Sequence, residues 1–144
     1  MKRGFTLIEL LVVIAVVGLL SGLLVPNFMA ARQRARDGQR KSDLRQIQKA
    51  LELYRQDPAS PVFPAALPAC NSPLTNTVNG TTITYMSKVP CDPLNTVTKY
   101  YYSADNTTLT YTLSACLENT ADADGVVCPG GITCTNKCYT VNEP

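Results

Sequence analysis

Hydrophobic positions fall into three regimes along the chain. From Phe5 to Val25 every residue is apolar except Thr6, Glu9, Gly18, Ser21 and Gly22. A run of 21 residues makes about 31 Å of helix, enough to cross a bilayer core. Residues 26–57 then change period. Leu44, Ile47, Ala50, Leu51 and Tyr54 recur at threes and fours and predict one apolar helical face. Ala31, Ala35 and Gly38 form a stripe of small residues on roughly the opposite side, suited to close helix–helix approach. Pro58 disfavours helix at Asp57 and predicts the stop. Pro26 removes a helical donor, and Gly18 and Gly22 weaken the same stretch, so residues 18–26 are where the helix kinks or loses its hydrogen bonds. Beyond residue 58 the pattern turns to short β-type runs at 81–85, 97–103, 109–115 and 139–141. Residues 104–108 read as the turn of an antiparallel hairpin. An α+β fold follows: a long helix, its first half transmembrane, packed by its Ile47 face on one small sheet of three or four strands.

Charge and cysteine sharpen the division. Residues 1–57 carry ten Lys/Arg against five Asp/Glu, whereas residues 58–144 carry three Lys against six acids. All six cysteines, Cys70, Cys91, Cys116, Cys128, Cys134 and Cys138, lie in the second part, and the chain has no histidine. That usage predicts disulfides in an oxidising compartment, with fifteen pairings open. Cys-only zinc ligation is disfavoured because no pair of C-x-x-C knuckles exists. The chain divides into a leader (1–4), an N-terminal helix (5–25 membrane-spanning, 26–57 amphipathic) and a globular domain (58–144).

Glu9 is the anomaly. It is the only charge between Arg3 and Arg32. A carboxylate deep in a bilayer costs about 2.5–3.5 kcal/mol on insertion scales, and such residues are usually functional. Three roles compete for the segment: a cleaved signal peptide, a permanent anchor, or an anchor with a later purpose. Lys2 and Arg3 make a basic start, and Met29-Ala30-Ala31 offers small residues downstream. But the run exceeds the usual length of a signal peptide core, and Glu9 lies inside it.

The residues Lys2-Arg3-Gly4-Phe5-Thr6-Leu7-Ile8-Glu9 resemble the class III signal of type IV pilins and type II secretion pseudopilins. Likeness continues through Gly18 and Pro26 into the helix. The resemblance implies that a prepilin peptidase cuts between Gly4 and Phe5 and methylates the new amine. It implies a single-pass protein of the bacterial cytoplasmic membrane that an assembly platform draws out of the lipid bilayer into an extracellular or periplasmic filament of its own copies. It also implies that Glu9 acts in assembly and that the stretch around Gly18, Gly22 and Pro26 melts inside the filament. Physics supplies a reason for Glu9. A methylated amine keeps its charge, and a buried carboxylate needs an opposite charge nearby. The Phe5 amine of a neighbouring subunit would provide it. The type IV pilus-like subunit is the first reading, a type II secretion or competence pseudopilin the alternative. A membrane-anchored binding module without a polymer is the rival from another class.

Other chemistry is thin. Val89-Pro90-Cys91-Asp92-Pro93, followed by Tyr100-Tyr101-Tyr102, resembles a pattern of major secretion pseudopilins but lacks its tryptophan. Sheet packing is the plainer role for the tyrosines. Asp122 and Asp124 in the Gly-ended segment 119–125 could supply calcium ligands, as the resemblance implies; a solvated turn is the plainer reading. No other cofactor is expected. No nucleophile–base pair or phosphate loop can be assembled, so no enzyme is expected. Asp37, Asp43 and Glu52 interrupt the basic helix, which predicts no specific nucleic acid partner.

Overall fold

The computed structural model describes residues 4–58, 61–94 and 100–142, and in residues 23–27 the backbone alone. Helix α1 runs unbroken from Leu7 to Arg55, through Gly18, Gly22 and Pro26. Thr6 caps it. The Thr6 hydroxyl accepts from the Glu9 amide while the Glu9 carboxylate accepts from the Thr6 amide, a reciprocal capping box. At the other end the Gln56 amide donates to the Glu52 carbonyl at 3.2 Å, and the Asp57 amide to that of Tyr54 at 3.3 Å. Pro58 then prevents continuation.

Among the described residues five strands fall into two sheets. Strands β1 (Leu74–Val78) and β2 (Thr81–Met86) form an antiparallel hairpin. Its turn places Asn79 at φ 52° and Gly80 at φ 79°, the backbone that a two-residue hairpin of right-handed twist demands. Strands β3 (Tyr101–Asp105), β4 (Thr110–Cys116) and β5 (Cys138–Asn142) form a second antiparallel sheet in the order β3-β4-β5. The single sheet predicted from the sequence is thus two sheets, and β1 is an addition. Thr75, Asn76 and Thr77 gave β1 no apolar alternation. The predicted turn at 104–108 moves toward the C-terminus, because Ala104 and Asp105 still pair with Tyr111 and Thr110. The part of the predicted strand 97–103 that precedes Tyr100 lies outside the described residues.

The predicted helix face forms the core. Leu44, Ile47, Ala50 and Leu51 are buried against Phe63, Leu67, Leu74, Val89, Tyr100, Tyr111, Leu113 and Ala115, with Tyr54 half-buried at the margin. Truncating Ile47 to alanine in such a setting costs about 2–5 kcal/mol. Three disulfides brace the loops: Cys70–Cys91, Cys116–Cys134 and Cys128–Cys138. The segment between β4 and β5 is tied by Cys116–Cys134 to the end of β4 and by Cys128–Cys138 to the start of β5, where Cys116 and Cys138 face each other in register.

Candidate functional site: the N-terminal motif and the helix–domain clasp

Gly4, Phe5 and Thr6 precede the first helical residue, so the peptide between Gly4 and Phe5 lies outside helical hydrogen bonding. Phe5 is 92% exposed, and nothing lies within 4 Å of the position a Cβ would take on Gly4. Phe5, Glu9, Ile8, Val12 and Val13 line one shallow apolar surface, which brings the two motif residues together. The Glu9 carboxylate is not bare there. It accepts from the Thr6 amide and from the Thr6 hydroxyl, each at 2.8 Å. Residues 1–3, with the basic Lys2 and Arg3, lie outside the described residues.

Apolar side chains stay exposed from Leu7 to Leu20, all around the helix. A helix with no polar face is built for an apolar surrounding or for other helices. Among the described residues no helix is long and apolar enough to cross a membrane; the side chains that extend the run to Val25 are outside the description. Ala31, Ala35 and Gly38 all face outward, and a Cβ on Gly38 would meet nothing within 4 Å. The small-residue stripe is therefore free of the chain's own domain.

Between that free half and the domain sits a clasp that the sequence did not announce. Arg40 is almost wholly buried, and three carboxylates converge on it. Its Nε donates to Asp92 at 2.6 Å, and its Nη1 donates to Asp37 and to Glu118, each at 2.7 Å. Asp37, 1% exposed, also accepts from the backbone amides of Glu118 and Asn119 at 2.8–3.2 Å. Arg36 holds Glu118 from the other side through two hydrogen bonds. Burial alone would lower the Arg40 pKa, but hydrogen bonds to Asp92, Glu118 and Asp37 outweigh it and the pKa is raised. The Glu118 carboxyl is held down to about 2 by its hydrogen bond to Arg36, which with Arg40 overcomes the opposing effect of burial. Asp43 goes the other way: burial raises its pKa, against the hydrogen bond that Tyr100 donates at 2.7 Å. The Asp92-Pro93 element and the first tyrosine of the triplet thus serve to seat the domain on α1. Tyr102 donates to the Pro64 carbonyl, while Tyr101 is exposed. Among the described residues no buried side-chain nitrogen or oxygen lacks a partner.

The other sequence-predicted site residues fall as follows. Asp122 and Asp124 come together, and Lys41 stands between them, 2.6 Å and 2.8 Å away. The sulfurs of Cys116, Cys134 and Cys138 lie within 4.8 Å of one another. Each is in a disulfide, so none is a thiolate able to hold a metal.

Comparison with known proteins bears on the N-terminal geometry first. Residues 1–25, which hold Gly4, Phe5 and Glu9, match the family described as the prokaryotic N-terminal methylation motif. Type II secretion system core protein G of Escherichia coli (strain K12) is 31% identical over 102 residues, covering 64% of this chain and 66% of that protein. The chain carries the prepilin methylation motif and is homologous to type II secretion core protein G and to the type IV pilin PilA4. The type IV wide pilus major component PilA4 of Thermus thermophilus is 47% identical over 55 residues, 38% of this chain and 42% of that protein. Core protein G of Vibrio cholerae is 27% identical over 120 residues, 79% of this chain and 81% of that protein. Several relatives are thus matched over less than two thirds of their length. No solved structure matches the chain.

Proposed function

We propose that the chain is the structural subunit of a helical, type IV pilus-like filament. Prepilin peptidase cuts it between Gly4 and Phe5 and methylates the Phe5 amine. Residues 5–25 hold it in the cytoplasmic membrane as a single span until the assembly platform draws it into the polymer, outside that membrane. The observation that carries this reading is Glu9, a carboxylate on the same exposed apolar face as Phe5. Thr6 gives that carboxylate two hydrogen bonds but no opposite charge. The remaining deficit in a low dielectric is what a partner amine removes. Pairing with the Phe5 amine of the next copy fixes the depth at which each subunit stops.

The free stripe of Ala31, Ala35 and Gly38 supports helix packing between copies. The stretch around Gly18, Gly22 and Pro26 is the part of α1 best suited to stretch as subunits settle, having the weakest helix formers. The pseudopilus reading has an observation of its own: the V. cholerae match, to a secretion protein G, covers most of the chain rather than the N-terminal part alone. A pseudopilus would use the same Glu9 contact in a shorter filament. The test is Glu9→Leu, compared with the unaltered chain in the same cells. Cleavage should persist while filaments seen by electron microscopy disappear. Normal filaments from Glu9→Leu would remove the basis of the proposal.

A further inference from the structure

The resemblance to major secretion pseudopilins implies calcium at Asp122 and Asp124, and the residues present do not fit it. We propose that the Lys41 ammonium is the built-in cation of the segment 119–125, which therefore keeps its folded form without calcium. Lys41 reaches from α1 to Asp122 Oδ1 at 2.6 Å and to Asp124 Oδ2 at 2.8 Å, so its nitrogen stands where a bridging metal ion would stand. Its Nζ also lies 5.5 Å from the centre of the Tyr139 ring, a cation–π contact on the β5 side.

Calcium requires six to eight oxygens at about 2.3–2.6 Å, and five of the loop's oxygens already accept hydrogen bonds. Asp122 Oδ1 accepts from the Asp124 amide at 2.9 Å as well as from Lys41. The Asn119 carbonyl accepts from the Asp122 amide, and the Asp122 carbonyl from the Gly125 amide, each at 3.2 Å. The Asn119 side-chain oxygen accepts from the Ala121 amide at 3.2 Å. Two further cations act on the same carboxylates, Lys137 on Asp122 and Arg45 on Asp124. Lys137 also covers the loop's last residue: a Cβ on Gly125 would lie 2.7 Å from Lys137 Cδ. A divalent ion would have to displace one ammonium and tolerate two neighbouring positive charges. Burial would lower the Lys41 pKa, but its hydrogen bonds to Asp122 and Asp124 raise it, so it stays charged through the neutral range.

The consequence is a loop fastened directly to the long helix, at the residue that follows Arg40 of the clasp. The test is amide hydrogen exchange followed by mass spectrometry on the full chain in detergent micelles, with excess calcium chloride or with a chelator. The unaltered chain should give the same exchange at Asp124 and Gly125 in both. Lys41→Met should exchange there about tenfold faster or more in chelator, because the loop opens more often. Lys49→Met, on the same helix and exposed, should leave the loop unchanged. Slowing of the unaltered loop by calcium would overturn the proposal without any variant. Equal exchange in Lys41→Met and the unaltered chain in chelator would also overturn it. Neither outcome touches cleavage at Phe5 or the Glu9 contact.

Discussion

Replacing Arg40 with methionine keeps the stem and removes the guanidinium from beneath three carboxylates. The side chain is 4% exposed, and its loss deletes contacts to Asp37, Asp92 and Glu118 at once. Removing one partner of a buried ion pair costs about 3–5 kcal/mol, because the other charge is left behind. Three features of the site reduce that. Asp37 keeps the amides of Glu118 and Asn119, Glu118 keeps Arg36, and Asp92 and Glu118 are each 20% exposed. The expected loss is therefore about 2–4 kcal/mol. For a domain of this size that lowers the melting temperature by about 10–20 °C. Arg36→Met is the internal comparison. That side chain is 28% exposed and hydrogen-bonds only Glu118, so its loss should cost clearly less than that of Arg40. Thermal and guanidinium unfolding of the full chain in detergent, under non-reducing conditions, measures both. An Arg40→Met loss below about 1 kcal/mol, or one equal to that of Arg36→Met, would refute the clasp as the main polar fastening of helix to domain.

Acid should loosen the same clasp in a defined window. Glu118 has a folded pKa of about 2 against an ordinary 4.5. A depressed carboxyl stabilises the fold fully above its unfolded pKa and loses that contribution as pH falls from about 4.5 toward 2. The raised pKa of Asp43 acts in the opposite sense, since its protonation favours the fold. Stability measured across this range should fall with pH, and Glu118→Gln should flatten the slope; an unchanged slope would contradict the assignment. Peptide mapping without reduction should recover the links Cys70–Cys91, Cys116–Cys134 and Cys128–Cys138. Removing the first, by Cys70→Ser with Cys91→Ser, should cost about 3 kcal/mol in chemical unfolding.

Features written locally in the chain were legible from the sequence. The period of Leu44, Ile47, Ala50 and Leu51 located the buried face, because helical spacing and burial are the same information. The motif around Gly4, Phe5 and Glu9 is contiguous, and the cysteine count pointed to disulfides. What stayed hidden depends on distant partners. Arg40 meets Asp92 and Glu118 across 52 and 78 residues, and no spacing rule reaches that far. Along the helix nothing in the spacing of Arg36, Arg40 and Lys41 points to the domain; the fold turns each toward one of its acids. Strand β1 had a usable signal in Asn79-Gly80, a strong short-range hairpin marker, but its polar residues disguised the strand before it. Pairing among six cysteines needs the sheet register that places Cys116 opposite Cys138.

On the proposed function, Glu9 waits for an amine that cleavage creates at Phe5. Intact-mass and N-terminal fragment spectrometry on protein recovered from sheared filaments or the assembled membrane fraction reads that amine directly. The recovered chain should begin at Phe5 and carry one added methyl group on its nitrogen. A chain that retains Met1, or one cut near Ala31, would contradict it.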